Sequence, residues 1–259
     1  MSRTSKSGRT PLRSTETSAP REAGAHYTPN ELAAQFVREA LEIALPPLWD
    51  HRDILNLKVC DPACGDGALL GQCALQLAER LASTPKHREL DIGVEASFER
   101  IQAAGVLHGN ELRADAAASA RATLGCPIAE GDGLDWTFPE GPLTVVMNPP
   151  WLGRSKRAPE VTQRIKDLTG SGAVDLAVAF LRRAAAVIET QGGTVHAILP
   201  KACIEGDSRV AGLAALLAKG WRIVRAQRPR HWPGRAAVLF VIVHLVPPSN
   251  RRAFNIRLA

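Results

Sequence analysis

The sequence predicts an α/β fold, a mostly parallel sheet with helices on both faces. Short apolar runs of strand type alternate along it with segments of helical period, the pattern of parallel strands joined by crossover helices. Acidic residues or asparagine fall at or just beyond the ends of four strand candidates, namely Asp61, Glu111, Asp132 and Asn148. Sheets of this kind take ligands at the carboxyl ends of their strands. At 259 residues, 45% of them hydrophobic, the chain is long enough to bury a core without disulfide staples.

Residues 1–23 are rich in Ser, Thr, Arg and Pro with a single Leu. That composition cannot bury a core, so it reads as a disordered basic tail. The folded domain is expected over 24–250, with 251–259 as a second tail. After His26-Tyr27-Thr28-Pro29, the spacing of Leu32, Phe36, Val37, Ala40 and Leu41 predicts a helix that stops at Pro46-Pro47. Leu55 to Cys60 reads as a buried strand ending at Asp61, and Ala68 to Leu81 as a helix. Residues 83–104 have no clear period and read as an insertion. Gly105–Asn110 is a strand candidate, Ala114–Leu124 an Ala-rich helix, Pro127–Ala129 a short strand and Leu143–Met147 another strand. Residues 152–172 read as a basic loop. Then come a helix over Val174–Ile188, a strand over Thr194–Leu199, a helix over Val210–Ala218 and strands over Trp221–Arg225 and Ala236–Val246.

Charge separates the halves. Residues 1–150 hold 14 Lys and Arg against 20 Asp and Glu, a net −6, while residues 151–259 hold 18 against 6, a net +12. An acidic half joined to a basic one suggests one face for a small molecule and one for a polyanion. The five cysteines form no CxxC pair, which disfavours a disulfide framework or a zinc ribbon and fits a reducing cytoplasm. No run approaches the roughly 20 apolar residues of a membrane span, and no apolar run follows the basic start.

Four motifs carry chemistry. Asp61-Pro62-Ala63-Cys64-Gly65-Asp66-Gly67 sits between a strand and a helix. Gly65 and Gly67 allow positive φ and a close approach of backbone to ligand. It is no P-loop, because Gly-Lys-Ser/Thr is absent, and Gly71 comes one residue late for GxGxxG. Glu111 is placed to accept two ribose hydroxyls, and Asp132 to accept an adenine amino group. Each is also the ordinary position of a helix cap. The most specific motif is Asn148-Pro149-Pro150-Trp151 after a strand. The prolines keep the Pro149 carbonyl out of regular pairing. With the Asn148 side-chain carbonyl it offers two acceptors to an exocyclic NH2, and Trp151 offers a flat face to a ring.

In this order the motifs resemble the gamma class of S-adenosylmethionine-dependent DNA adenine-N6 methyltransferases. The likeness runs from about residue 25 to 246 and takes in Gly192-Gly193, Leu199-Pro200 and His231-Trp232-Pro233-Gly234. It implies a Rossmann-like sheet of seven strands, the last antiparallel. It implies S-adenosyl-L-methionine as cofactor, held by Tyr27, Thr28, Asp61, Pro62, Ala63, Gly65, Gly67, Glu111 and Asp132, with no metal. It implies DNA as partner, the target base being received by Asn148, Pro149, Pro150 and Trp151. Three departures stand out: Asp66 where the family usually has Ser, Trp151 for the more frequent Tyr, and Glu95 as a rival to Glu111 for the ribose.

A base inside a duplex must be flipped out to react. Stacking on Trp151 offsets part of that cost, and Trp232 is either the second wall or a packing residue. Arg154, Lys156 and Arg157 follow the tetrad and are expected on phosphates. Other acceptors, namely cytosine N4, an RNA base or a protein glutamine amide, use the same chemistry. A catalytically silent nucleic-acid-binding module is the alternative of another class. Cytosine-C5 chemistry is disfavoured because the Pro-Cys dipeptide is absent. Only Pro247 to Ala259 follow the last predicted strand, too few for a target-recognition domain, so a separate specificity subunit is expected to read sequence.

Overall fold

A computed structural model describes residues 28–233, 235–252 and 257–258. The expected tail at 1–23 and Tyr27 lie outside the described residues.

Helix α1 (Asn30–Ala44) buries Leu32, Phe36, Val37, Ala40 and Leu41 and ends where Leu45 turns extended before Pro46. The next segment differs from expectation. Leu55 closes a short helix, α2 (His51–Leu55), because Asp50 and Asp53 cap it reciprocally. Strand β1 is therefore only Val59–Asp61. Helix α3 (Ala68–Ala82) follows the glycine loop. Residues 83–104 fold as α4 (Pro85–Glu89) and α5 (Val94–Ala103), and α5 packs on α3 through buried Ser97 and Ile101. Then come β2 (Leu107–Glu111), α6 (Ala114–Leu124), β3 (Ile128–Glu130) and β4 (Leu143–Met147).

The expected basic loop contains a helix, α7 (Pro159–Thr169). Pro159 opens it, Gly170 closes it at φ +80°, and Val161, Ile165 and Leu168 make one narrow apolar stripe. Asp175 caps α8 (Leu176–Gln191), which leads to β5 (Gly193–Pro200). The helix expected at Val210–Ala218 begins earlier, as α9 (Gly206–Arg209), passes through a π-helical turn at Val210–Ala214 and ends as α10 (Ala215–Ala218). Strand β6 (Arg222–Trp232) is longer than expected, and β7 (Arg235–Val246) matches the longest apolar run.

The strand order is β3-β2-β1-β4-β5-β7-β6, with β7 antiparallel to both neighbours and the others parallel. This is the expected seven-stranded sheet. A two-residue eighth strand, β8 (Arg257–Leu258), adds to β6 in parallel, and Arg252 donates to the carbonyls of Ile43 and Leu45. Part of the segment expected as a tail thus belongs to the sheet edge. All five residues of β4 are buried beneath α1 and α8, both of which contact it. The five cysteines are free and buried.

Candidate active site

Strands β1 and β4 are neighbours, yet the chain leaves them toward opposite ends of the sheet. Such a switch point opens a crevice at the carboxyl ends of the two strands. Asp61 ends β1 and Asn148 follows β4, and the pairing of Cys60 with Val145 brings both to the same edge.

Local hydrogen bonds shape the loop after β1. The amide of Ala63 donates to Asp61 Oδ1 (3.0 Å), that of Cys64 to the Asn110 carbonyl (2.9 Å) and that of Gly65 to Glu111 Oε2 (2.9 Å). Gly65 and Gly67 hold φ of +59° and +89°. A Cβ on Gly65 would meet nothing within 4 Å, so this part of the loop borders open space, whereas one on Gly67 would strike Leu124. Asp61 is 1% exposed. Burial, which the Ala63 amide only partly offsets, raises its carboxyl to about 8, and nearby Glu111 pushes the same way.

Glu111 ends β2. One oxygen accepts from Gly65 and the other from the Arg113 amide (3.0 Å). Each oxygen keeps a second lone pair for a ligand. Glu95 stands exposed in the first turn of α5, so it is Glu111 that the structure sets against the glycine loop. Asp132 accepts from the Leu134 amide (2.9 Å) and pairs with Arg164 of α7 (2.6 Å). Gly133 beside it presses on β1's exit so closely that a Cβ would lie 2.0 Å from the Pro62 carbonyl oxygen.

In the tetrad, the Asn148 amide nitrogen donates to Thr28 Oγ1 (3.0 Å). Thr28, expected on the cofactor, therefore orients Asn148 and turns its carbonyl arm away from itself. Trp151 is buried and meets Trp232 edge-on, with ring centroids 5.1 Å apart. Trp232 in turn meets Phe240 at 5.3 Å. Trp232 is a packed residue, and what it packs on is the tetrad.

The three basic residues after the tetrad separate. Arg154 and Lys156 are exposed, but the guanidinium of Arg157 donates to the carbonyls of Val174 (2.7 Å) and Gly172 (3.0 Å). As placed, Arg157 straps the loop to the start of α8. Asp175 fastens the same loop by accepting from the Leu152 amide (3.3 Å).

Sequence reasoning missed two residues. Asn110 is 2% exposed, and its side chain donates to the Gly131 carbonyl (2.7 Å) and the Pro62 carbonyl (3.4 Å), tying the exits of β1 and β3 together. A polar residue inside a strand was its only signal. Arg164 had none, since the loop reading placed it on no element.

No family model and no curated protein matches the sequence. Solved structures do share its fold. A protein from Listeria monocytogenes, described as a candidate class I S-adenosylmethionine-dependent methyltransferase, aligns at 14% identity and a TM-score of 0.65, covering 93% of this chain and 67% of that one. The methyltransferase subunit of a type I restriction-modification system from Streptococcus thermophilus aligns at 18% and 0.59, covering 89% and 46%. The type IIL restriction-modification enzyme MmeI, solved in complex with DNA, aligns at 20% and 0.58, covering 83% and 34%. The chain thus spans from about a third to two thirds of the length of these neighbours. At such identities the likeness is one of fold.

Proposed function

We propose that this chain is an S-adenosylmethionine-dependent methyltransferase acting on the exocyclic N6 amine of a flipped-out adenine in DNA. The observation that carries the reading is the Asn148–Trp151 loop at the carboxyl end of β4, beside the glycine loop of β1, with Asn148 oriented by Thr28. The DNA-bound and restriction-modification neighbours support it.

The residues present fit the cofactor. The loop at Gly65 borders open space, Asp61 is a buried carboxyl short of donors, and Glu111 has oxygens to spare for a ribose. When bound, the cofactor supplies a methyl group on a sulfonium, a good leaving group. Asn148 Oδ1 and the Pro149 carbonyl accept the two N–H bonds of the target amine. That draws the nitrogen lone pair out of conjugation with the purine ring. No side chain removes a proton before attack, and the surplus proton leaves the methylated nitrogen for water afterwards. Trp151 stacks on the base, and Trp232 holds Trp151 in place. Most of the rate comes from positioning and preorganised dipoles. A separate specificity subunit for base readout stays part of this proposal, one fold neighbour being itself described as a subunit.

The test is mass spectrometry of nucleosides from DNA incubated with the chain and S-adenosylmethionine. N6-methyladenine is expected. Asn148→Ala should lower its rate of formation by about 10²–10³, the cost of losing one preorganised dipole at a reaction centre, with cofactor affinity unchanged by calorimetry. N4-methylcytosine would move the acceptor to cytosine. A product unaffected by Asn148→Ala would remove the tetrad from the chemistry.

A further inference from the structure

Part of the basic charge of the second half is engaged within the protein itself. Arg157, Arg183 and Arg252 donate to backbone carbonyls, while Arg164, Lys201, Lys219 and Arg225 pair with acids. Four exposed cations near the tetrad are not committed in this way. Arg154 and Lys156 follow it directly. Arg228 and Arg230 lie on β6 just before Trp232. None of these four side chains enters a hydrogen bond or ion pair among the described residues.

The two pairs are connected physically. The Arg230 guanidinium sits 5.3 Å over the Phe240 ring, Phe240 meets Trp232 at 5.3 Å, and Trp232 meets Trp151 at 5.1 Å. A row of aromatic rings therefore runs from the tetrad to Arg230. The β6–β7 register slips between Gln227 and Arg230, so Arg228-Pro229 bulges from the ladder. Bulges re-aim side chains beside active sites, and Pro229, with no N–H, keeps this edge from pairing with another strand. Arg230 is thus held by one face of its guanidinium, with its N–H edge left for an anion.

We propose that Arg228 and Arg230, on the bulged end of β6, grip the phosphodiester backbone next to the nucleotide in the tetrad, as a second edge of the entrance that Arg154 and Lys156 line. This deepens the nucleic-acid reading above and rests on it. The occupant is set by charge: four exposed cations with no acid of their own, on the two segments that join at the tetrad, fit a polyanion.

The experiment measures binding of a short DNA duplex by fluorescence anisotropy across a salt series. Arg228→Gln/Arg230→Gln should flatten the plot of log affinity against log salt by about 1.8, at about 0.9 for each phosphate no longer neutralised. Arg209→Gln/Arg251→Gln removes the same charge elsewhere and should leave the slope alone. Arg230→Lys keeps the charge and should restore most of the slope in an Arg228-intact protein. Circular dichroism melts that match the parent exclude unfolding as the cause. An unchanged slope in the β6 variant, while Arg154→Gln/Lys156→Gln lowers it, would overturn this proposal and leave the methyltransferase reading standing. An equal drop in the Arg209/Arg251 control would also overturn it, by showing a net-charge effect. A parent protein that does not bind DNA would overturn both.

Discussion

Two polar clusters lie on the same sheet, and they are built on opposite principles. One is the cluster at the strand ends: Asp61, Glu111 and the glycine loop. The other crosses the middle of the sheet. Thr194 Oγ1 lies 2.8 Å from His196 Nε2, His196 Nδ1 lies 2.9 Å from His244 Nδ1, and His244 Nε2 lies 3.2 Å from Glu39 of α1. Burial lowers both imidazoles, His196 well below the ordinary value, so both rings are neutral. Burial alone would raise Glu39, but hydrogen bonds from His244, Gln35 and Gln227 outweigh it and hold the carboxyl low. The protons then follow by elimination. His244 donates to Glu39 through Nε2, so its Nδ1 accepts from His196. The remaining nitrogen of His196 accepts the Thr194 hydroxyl. Every donor in the row has its acceptor. Asp61, by contrast, keeps one backbone donor and a carboxyl raised to about 8. A cluster that satisfies itself is structural, and one left short of donors is where a ligand belongs.

The comparison breaks most easily at the histidines. His196→Leu leaves His244 Nδ1 without its donor and Thr194 without its acceptor, and should cost about 2–3 kcal/mol in chemical denaturation. The double variant His196→Leu/His244→Leu removes both partners and should cost less than the sum of the singles. Neither should alter cofactor affinity. A tenfold loss of affinity in His196→Leu would show that the row belongs to the site after all.

Asp61 should behave in the opposite way. Asp61→Asn keeps the shape and replaces a carboxyl, which a ligand's donors can ionise, with an amide that cannot ionise. It should weaken S-adenosylmethionine binding by about 10- to 100-fold, the range of one charge-assisted hydrogen bond, without destabilising the free protein. Calorimetry and melting of the same variant read the two halves of that statement. A smaller effect attends pH. In the native protein the carboxyl titrates near 8, and in the unfolded chain near its ordinary value of about 4. Between those values the native state holds a proton that the unfolded chain has lost. The Asp61 contribution to stability is therefore fully present below about pH 4 and falls as pH rises toward 8. Asp61→Asn should flatten that part of the melting profile, and two superimposable profiles would show that Asp61 is already ionised.

How much of this was legible in the sequence follows the same division. Helices α3 and α6 and strand β4 could be read almost to the residue, because apolar period and glycine or proline breaks agree there. Helix α7 was not legible, since three apolar residues in a basic segment leave too narrow a stripe. The second half of β6 was hidden because Arg228 to His231 are exposed and the strand is held by pairing with β7, which no local pattern records. The motif acids could be placed at strand ends, since topology alone puts them there. Their partners could not: Thr28 lies 120 residues from Asn148, and His196 lies 48 from His244. Nothing in one segment announces the other.

Arg164 gives the finest test, because it joins a helix the sequence hid to an acid it revealed. Its guanidinium pairs with Asp132 at 2.6 Å and also with Asp135, so α7 is pinned to the loop expected to receive the cofactor's adenine. Asp132 Oδ1 accepts from the Leu134 amide and Arg164 holds the other oxygen, so an incoming amino group meets an acceptor already in use. Both partners are partly exposed, 32% for Arg164 and 42% for Asp132, so water screens the pair and its net worth is about 0.2–1 kcal/mol. A ligand amino group that needs Asp132 must compete against that amount and no more. Arg164→Gln should therefore tighten S-adenosylmethionine binding by up to about fivefold in calorimetry, with little change in melting temperature. The same variant in an Asp132→Asn background should show no gain, since the contested acceptor is then neutral. A loss of affinity in Arg164→Gln would reverse the assignment: Arg164 would then be the residue that aims Asp132 at the ligand, and α7 a wall of the cofactor site instead of a competitor for it.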